Sequence, residues 1–428
     1  GLVVSEMFIR DRGYIVGLKY ALIICCGSVA VWWVIVPAIS WLFPDLVVSA
    51  GSSSVTASQA SAEQIFQYAK SIGIGGIAMA GIIGIFKSRK IIMGAVGLAA
   101  QEMKGKGKSD TAVPRTQKDL SMKIIAVGSL LTLAAILLFF YFGVMEGNLL
   151  FTLTGVLLVA VIAFLFTTVA ANAIAIVGSN PVSGMTLMTL ILASVIMVAV
   201  GLKGPAGMVA ALIMGGVVCT ALSTAGSFIT DLKIGYWLGS TPKKQETFKF
   251  LGTLVSAATV AGVIMILNDT YGFTSGQLAA PQANAMAAVI EPLMSGAGAP
   301  WLLYGIGAAL AILLTLFNVS ALAFALGMFI PLELNLPLLV GGLINWYVTT
   351  RSSKEQVNKE RGEKGTLIAS GFIAGGALMG VVSAALRFGG ISFDYSAWWA
   401  NPASEWLSLL MYVLLIIYMI KASMRIKK

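Results

Sequence analysis

The 428-residue chain contains no histidine and only 3 cysteines. The lack of histidine excludes His-ligated zinc sites, His general bases and Ser-His-Asp triads. Cys25, Cys26 and Cys219 all lie within apolar runs, where cysteine is usually a small buried hydrophobe, so they predict no disulfide framework. No Walker motif for nucleotides occurs either. We therefore expect no metal site, no cofactor and no enzyme activity.

Charged residues are also scarce, at 11% of the chain, whereas hydrophobic residues make up 58% and the mean hydropathy is +0.91. This composition excludes a water-soluble core with a polar surface. Because a membrane helix needs ~20 mainly apolar residues, continuous apolar runs predict an all-α, polytopic membrane protein rather than a barrel. The runs lie near 15–43, 71–86, 124–143, 150–177, 185–201, 206–226, 248–267, 301–319, 321–347, 366–386 and 404–420.

The net charge of +10 comes from basic residues that are scattered between the apolar runs rather than gathered on one polar domain. This pattern favours the positive-inside rule over nucleic-acid binding. Of the 28 Lys and Arg residues, all but Lys70, Lys203 and Arg387 lie in 1–19, 87–123, 231–249, 351–364 and 421–428. We therefore predict a multi-pass protein of the plasma (inner) membrane in which these segments, and both ends of the chain, are cytoplasmic.

Two cytoplasmic ends require an even number of crossings, and the apolar runs are odd in number. The missing crossing lies between 268 and 347, and the best candidate is 280–298, which is apolar but interrupted by prolines. The alternative is that 321–347, which holds Pro331 and Pro337, folds as re-entrant half-helices. We expect about twelve crossings, with some helices broken or re-entrant.

The first residues need separate treatment, because the chain begins with Gly1 and "SEMFIRDR" resembles translated adaptor sequence. We expect 1–13 to be a non-native or truncated end. The remaining residues, 14–428, are expected to form a single transmembrane domain.

Polar or helix-breaking residues interrupt the apolar pattern at three places, namely 178–186, 280–286 and 330–342. Such interruptions are costly in lipid unless they line a cavity, and broken helices expose half-helix ends that can hold a charged solute. The first interruption is also compatible with an ordinary turn capped by its asparagine. The residues predicted to line a substrate pathway are Asn180, Pro181, Ser183, Thr186, Gln282, Asn284 and Asn335.

A charged and aromatic segment, "FITDLKIGYWLGSTPKKQ", follows one membrane run. Lys233, Tyr236 and Trp237 are predicted to anchor this segment at the membrane interface or to act in gating. Asp231 and Lys233 are two positions apart and would not face each other on a helix. A partner for Asp231 elsewhere in the chain is therefore expected.

Proton coupling would need a titrating group, and without histidine the candidates at membrane depth are Glu333 and Glu291, with Asp231 nearer the interface. Glu333 is preferred because it lies between Pro331 and Pro337 in an otherwise apolar run. A carboxyl that is neutral when dry and ionised when wetted can carry a proton between two access states. Helix capping, or pairing with a lysine, is the alternative role for Glu333.

Several of these segments together resemble the oligopeptide transporter family. The resemblance is carried, in chain order, by "NPVSGMTLMTL", "FITDLKIGYWLGSTPKKQ", "APQANAM", "GMFIPLELNLPLLVGGLINW" and "RGEKGTLIASGFIAGGAL". It is nearest to the prokaryotic members that group with the yellow stripe-like metal-chelate carriers. One departure is Gly376, where many relatives carry an acidic residue.

The resemblance implies a secondary active transporter, a proton-coupled symporter of oligopeptides or of small metal-chelate or peptide-like solutes. It also implies that the chain is the carboxy-terminal part of a larger transporter. The partners would be the lipid bilayer, the solute and protons, with no nucleic acid, and a homo-oligomer is compatible with the sequence. A passive channel or pore, or a membrane scaffold subunit, are the alternative functions.

Overall fold

The computed structural model describes residues 2–50, 53–87, 89–90, 93–94, 97, 114–177, 182–273, 281–294, 300–330, 332–391 and 401–425. These residues are helical apart from one short hairpin and the connecting loops. They divide into two compact units. Unit 1 contains 1–73, 258–280 and 313–428, and unit 2 contains 74–257 and 281–312.

The amino-terminal half of the described chain contains the following elements in order. They are α1 (Leu2–Val16), α2 (Leu18–Val29) with a π-helical turn (Ala30–Ile35), α3 (Val36–Leu42), β1 (Val47–Ala50), β2 (Ser53–Thr56), α4 (Ala62–Lys87), α5 (Met122–Phe139) with a second π-helical turn (Phe140–Val144), α6 (Leu149–Val177) and α7 (Val182–Val200).

The carboxy-terminal half continues with helices alone. They are α8 (Gly204–Trp237), α9 (Pro242–Tyr271), α10 (Pro281–Met294), α11 (Trp301–Leu316), α12 (Ala321–Phe329), α13 (Leu332–Thr350), α14 (Glu355–Phe388) and α15 (Pro402–Met424). Every apolar run of the sequence therefore contains helix, as predicted.

Eight of the described helical segments are long and apolar enough to cross a bilayer. The helix predicted as the extra crossing, α10, has 14 residues and a length of ~21 Å at 1.5 Å per residue, which is less than the ~30 Å hydrocarbon core. The number of about twelve crossings is therefore not confirmed. The alternative for 321–347 is confirmed in one respect, because two helices, α12 and α13, replace one continuous helix.

The segment between α3 and α4 differs from the sequence prediction. It is rich in Ser, Ala and Gly, a composition typical of a loop, but β1 and β2 pair as an antiparallel hairpin with Val47 opposite Thr56. The segment ends in a capping box at the start of α4, where the Ser61 amide donates to Gln64 Oε1 at 2.9 Å and the Gln64 amide donates to Ser61 Oγ at 3.3 Å. These reciprocal bonds satisfy free amides at the first turn of α4.

Unit 1 is built around α1, α2 and α12 to α15. Helix α1 packs along α13 and α14, and α2 packs against α12 and α13. The buried residues Tyr14, Ile344, Val348, Ala369 and Met419 form one cluster that joins α1, α13, α14 and α15. The predicted boundary between 13 and 14 falls inside α1, and the non-native origin of 1–13 stays a prediction.

Unit 2 is built around α8, which packs against α6, α7 and α10. Met214, Val218 and Leu222 of α8 are fully buried. A Cβ atom at Gly215 would overlap the Leu190 side chain of α7. The glycine therefore leaves room for the Leu190 side chain to lie directly against α8.

Candidate functional site

The break between α12 and α13 follows from proline chemistry. Helix α12 ends at Phe329, and Ile330 takes an extended conformation with φ −83° and ψ 136°. This is the conformation favoured before a proline, and the next residue in the sequence is Pro331. Because proline has no amide hydrogen, the Gly327 carbonyl loses the donor that a continuous helix would supply four residues later.

Two buried polar side chains replace the missing donor. Ser28 Oγ donates to the Gly327 carbonyl at 2.7 Å and lies 3.3 Å from the Ile330 carbonyl. Asn335 Nδ2 lies 3.2 Å from the Ile330 carbonyl and 3.4 Å from the Gly327 carbonyl, and it also donates to Ser28 Oγ. We call Ser28, Gly327, Ile330 and Asn335 the break cluster.

The break cluster is closed from bulk solvent. Ser28 is 0% exposed and Asn335 is 2% exposed. A polar group buried without a hydrogen bond is costly, so the pairing of these groups explains how a broken helix is tolerated inside unit 1.

Close helix packing brings Ser28 to the break. A Cβ atom at Gly27 would overlap the Phe324 carbonyl, and a Cβ atom at Gly327 would overlap the Ile24 carbonyl. Helices α2 and α12 therefore approach at backbone level, as small residues allow in membrane proteins. Ser28 follows Gly27 directly, so its short side chain can reach the α12 carbonyls.

A second polar site, in unit 2, is the hairpin of α8 and α9. Helix α8 ends near Gly239, which has φ +70° and therefore suits the left-handed position after a helix. Lys249 Nζ donates to Asp231 Oδ2 at 2.8 Å and to Ser227 Oγ at 3.1 Å. The expectation that Asp231 has a distant partner is thus confirmed. Its exposed fraction is 50% and that of Lys249 is 30%.

The residues before α5 lie against this hairpin. The Arg115 guanidinium donates to the Gly239 carbonyl at 2.8 Å, and the Lys243 amide donates to the Lys118 carbonyl at 2.9 Å. The Leu120 amide donates to Glu246 Oε2 at 2.7 Å. These three bonds join 115–120 to the α8–α9 turn and to the start of α9.

Comparison with known proteins assigns the chain to a family. The family model "OPT oligopeptide transporter protein" matches residues 8–387, which contain both the break cluster and the α8–α9 hairpin. The chain belongs to the OPT oligopeptide transporter family. It is also 26% identical over 476 aligned positions to a Haemophilus influenzae protein named "Putative oligopeptide transporter", covering 99% of this chain and 73% of the relative. As a member of this family with several apolar helices, the chain is a multi-pass membrane protein.

The structure of this OPT chain brings only part of the predicted pathway into view. Asn335 is buried at the break, and Thr186 of α7 is buried in unit 2 with 2% exposure. Asn180 and Pro181 lie outside the described residues. For four further predicted residues the structure describes the helix but not the side chain. They are Ser183 of α7, Gln282 and Asn284 of α10, and Glu333 of α13.

The remaining predicted residues are at the surfaces of their units. Glu291 is exposed on α10. Lys233 Nζ lies 5.8 Å from the Tyr236 ring centroid and 5.4 Å from that of Trp237. Tyr236 and Trp237 are 60% and 71% exposed. An exposed Lys with two aromatic rings is the arrangement expected of an interfacial anchor, and gating by these residues stays a prediction.

Sequence reasoning missed some buried polar residues of the OPT chain. Ser28, Thr189 and Ser194 are fully buried hydroxyl residues. Thr189 donates to the Met185 carbonyl of its own helix at 2.9 Å, whereas Ser194 Oγ has no hydrogen-bond partner among the described residues. The only signal in the sequence was a Ser or Thr inside an apolar run, and Ser28 had the additional signal of an adjacent glycine.

Proposed function

We propose that the protein is a secondary active transporter that couples proton entry to symport of oligopeptides or of small metal-chelate or peptide-like solutes. The observation that carries the proposal is the broken helix α12–α13 in a chain of the OPT family. Both freed carbonyls and neutral hydrogen-bonding side chains meet there, within unit 1. Half-helix ends of this kind hold charged groups of solutes in other transporters.

The oligopeptide part of this proposal rests on the family and on the relative's name, and the metal-chelate part rests on the sequence resemblance alone. A peptide has an ammonium and a carboxylate, so it can use both a carbonyl-rich helix end and an amide-rich one. We propose a pathway whose residues include Asn335 in unit 1 and Thr186 in unit 2, each of them buried within its own unit. Asn180, Pro181, Ser183, Gln282 and Asn284 complete it by their places in the sequence.

Glu333 is the residue that we propose for proton coupling. It occupies the second position of α13, two residues before Asn335, so the break places a carboxyl in the first turn of a half-helix. Carboxylates are favoured at helix amino termini, so this position suits the ionised form of a carboxyl that takes up and releases a proton. Asp231 already pairs with Lys249 and Glu291 is exposed on its own unit, so we place both after Glu333 as candidates.

The topology is part of the same proposal. Adding α7, α10, α11 and the pair α12–α13 to the candidate spans would give about twelve crossings. The basic segments would then face the cytoplasm, and the protein would lie in the plasma membrane.

Accumulation in proteoliposomes distinguishes the proposal from its alternatives. A symporter concentrates a labelled peptide against its gradient when the outside is acidic, and a protonophore abolishes the accumulation. A passive channel or pore equilibrates the peptide with or without the protonophore, and a scaffold moves none. A labelled metal chelate offered in parallel separates the two substrate classes.

A further inference from the structure

Unit 2 contains an apolar groove beside the α8–α9 hairpin that has no part in the proposed transport pathway. Its volume is about 530 Å³. The start of α9 forms one wall, and α8 and the residues around the start of α5 form the others. The lining residues are Leu120, Ile125, Thr224, Ala225, Phe228, Glu246, Lys249, Phe250, Thr253, Leu254 and Ala257. We call it the α9 groove.

The α9 groove changes from charged to apolar along its length. Its α9 residues are spaced by three and four positions and therefore share one face of the helix. Glu246 and Lys249 lie at one end and Ala257 at the other, ~16 Å away at 1.5 Å per residue. Thr253 donates its hydroxyl to the Lys249 carbonyl at 2.8 Å, so its polarity is satisfied within the helix. Beyond Lys249 the wall of α9 is effectively apolar.

The charged end of the groove carries an excess of positive charge. Glu246 accepts from the Leu120 amide and Asp231 pairs with Lys249, so both carboxylates already have partners. Asp119 is the other acidic residue nearby. Five exposed basic residues lie within five positions of a lining residue in the sequence, and none of them forms an ion pair with a described residue: Arg115, Lys118, Lys123, Lys243 and Lys244.

A backbone hydrogen bond fixes the chain at two of these basic residues. The bond from the Lys243 amide to the Lys118 carbonyl, at 2.9 Å, joins two of the lysines to the start of α9. Lys243 precedes Glu246 by three residues and so lies one turn before the groove on the same face of α9. The backbone of both lysines is therefore held near the groove's polar end, and side-chain substitution of Lys243 leaves the backbone bond intact.

We propose that the α9 groove binds an anionic phospholipid, with one acyl chain along Phe250, Leu254 and Ala257 and the phosphate at Lys243 and its basic neighbours. Three observations favour a lipid over a soluble anion or a peptide. The groove runs along a helix that is long and apolar enough to cross the bilayer. Its charged end carries the sign that attracts anionic headgroups. The exposed rings of Tyr236 and Trp237 lie at the end of the preceding helix, as expected at headgroup level.

The binding test uses the purified protein in neutral detergent, with native mass spectrometry to count bound lipids and thermal unfolding to measure stabilisation. The probes are dioleoyl-phosphatidylglycerol, dioleoyl-phosphatidylcholine and inorganic phosphate. We expect phosphatidylglycerol to be retained and to raise the unfolding temperature, and the other two to do neither. Equal effects of the two lipids, or an equal effect of phosphate alone, would overturn the proposal without any variant being needed.

Variants then locate the lipid. Lys243→Gln combined with Lys244→Gln should weaken phosphatidylglycerol binding roughly fivefold for each lysine removed. The matched control is Lys354→Gln with Lys359→Gln, two exposed lysines at the start of α14, which should bind as wild type does. Ala257→Trp keeps every charge but fills the apolar end, so it should also lose the lipid. Undiminished binding by Ala257→Trp, or equal losses in the control, would place the lipid elsewhere and contradict the assignment.

Discussion

Replacing Asn335 by leucine tests whether the break cluster stabilises the broken helix. The change removes the amide that lies 3.2 Å from the Ile330 carbonyl, and leucine has nearly the same shape. Ser28 keeps its 2.7 Å bond to the Gly327 carbonyl, so one buried carbonyl, not two, loses its main donor. A buried polar group left unsatisfied costs ~1–3 kcal/mol, and we expect the free energy of unfolding to fall by that amount.

The pairing of Asn335 with Ser28 can be measured by a double-mutant cycle with Ser28→Ala. Interhelical hydrogen bonds in membrane proteins contribute ~0.6 kcal/mol on average and up to ~1.7 kcal/mol. Because Ser28 serves Asn335 and both carbonyls at once, we expect a coupling in the upper part of that range. Unfolding in mixed micelles by increasing sodium dodecyl sulfate, followed by tryptophan fluorescence, gives each free energy.

The matched control for this cycle is Ser408→Ala, because the Ser408 hydroxyl donates to the Ser404 carbonyl of its own helix at 2.7 Å. Combined with Asn335→Leu, it should show additive effects, since the two residues belong to no common network. If Ser28→Ala and Asn335→Leu are also additive to within ~0.3–0.5 kcal/mol, the break cluster does not act as a unit and the reasoning is refuted.

Three further predictions follow from the packing and the charges. Gly327→Leu should lower the free energy of unfolding by ~1–3 kcal/mol or more, because a Cβ atom at this position overlaps the Ile24 carbonyl. The yield of folded protein in size-exclusion chromatography should fall with it. Gly371→Leu is the control and should be tolerated, because a Cβ atom at Gly371 has no atom within 4 Å. Asp231→Asn should change the free energy of unfolding by no more than ~1 kcal/mol because the pair is partly exposed; a larger loss in the same titration would contradict this. Ser353→Cys in a Cys-free background should resist an impermeant thiol reagent in intact cells, and labelling from outside would reverse the orientation.

Much of the helical architecture could be predicted from the sequence because membrane helices need long apolar runs. A break somewhere in 321–347 was also predictable, since a proline removes a donor and disfavours the helical region for the residue before it. Pro337, by contrast, lies inside α13 and does not end it. The presence of a proline therefore could not predict whether the helix would break at Pro331 or at Pro337.

The residues that complete the break were less predictable. Ser28 is 307 positions from Asn335, and only the packing of α2 against α12 brings them together. The Asp231 partner was expected in general, but Lys249 could be named only once the α8–α9 hairpin placed it there. The β1–β2 hairpin was missed because a short Ser-rich segment resembles a loop in composition.

Proton-driven uptake by wild type and Glu333→Gln in proteoliposomes tests the central claim most directly. With an acidic exterior, wild type should accumulate a labelled peptide above the outside concentration, and Glu333→Gln should bind the peptide but only equilibrate it, because glutamine keeps the shape and cannot release a proton. Glu291→Gln serves as the matched control and should accumulate peptide as wild type does. Full accumulation by Glu333→Gln, or its loss in Glu291→Gln alone, would contradict coupling at the α12–α13 break.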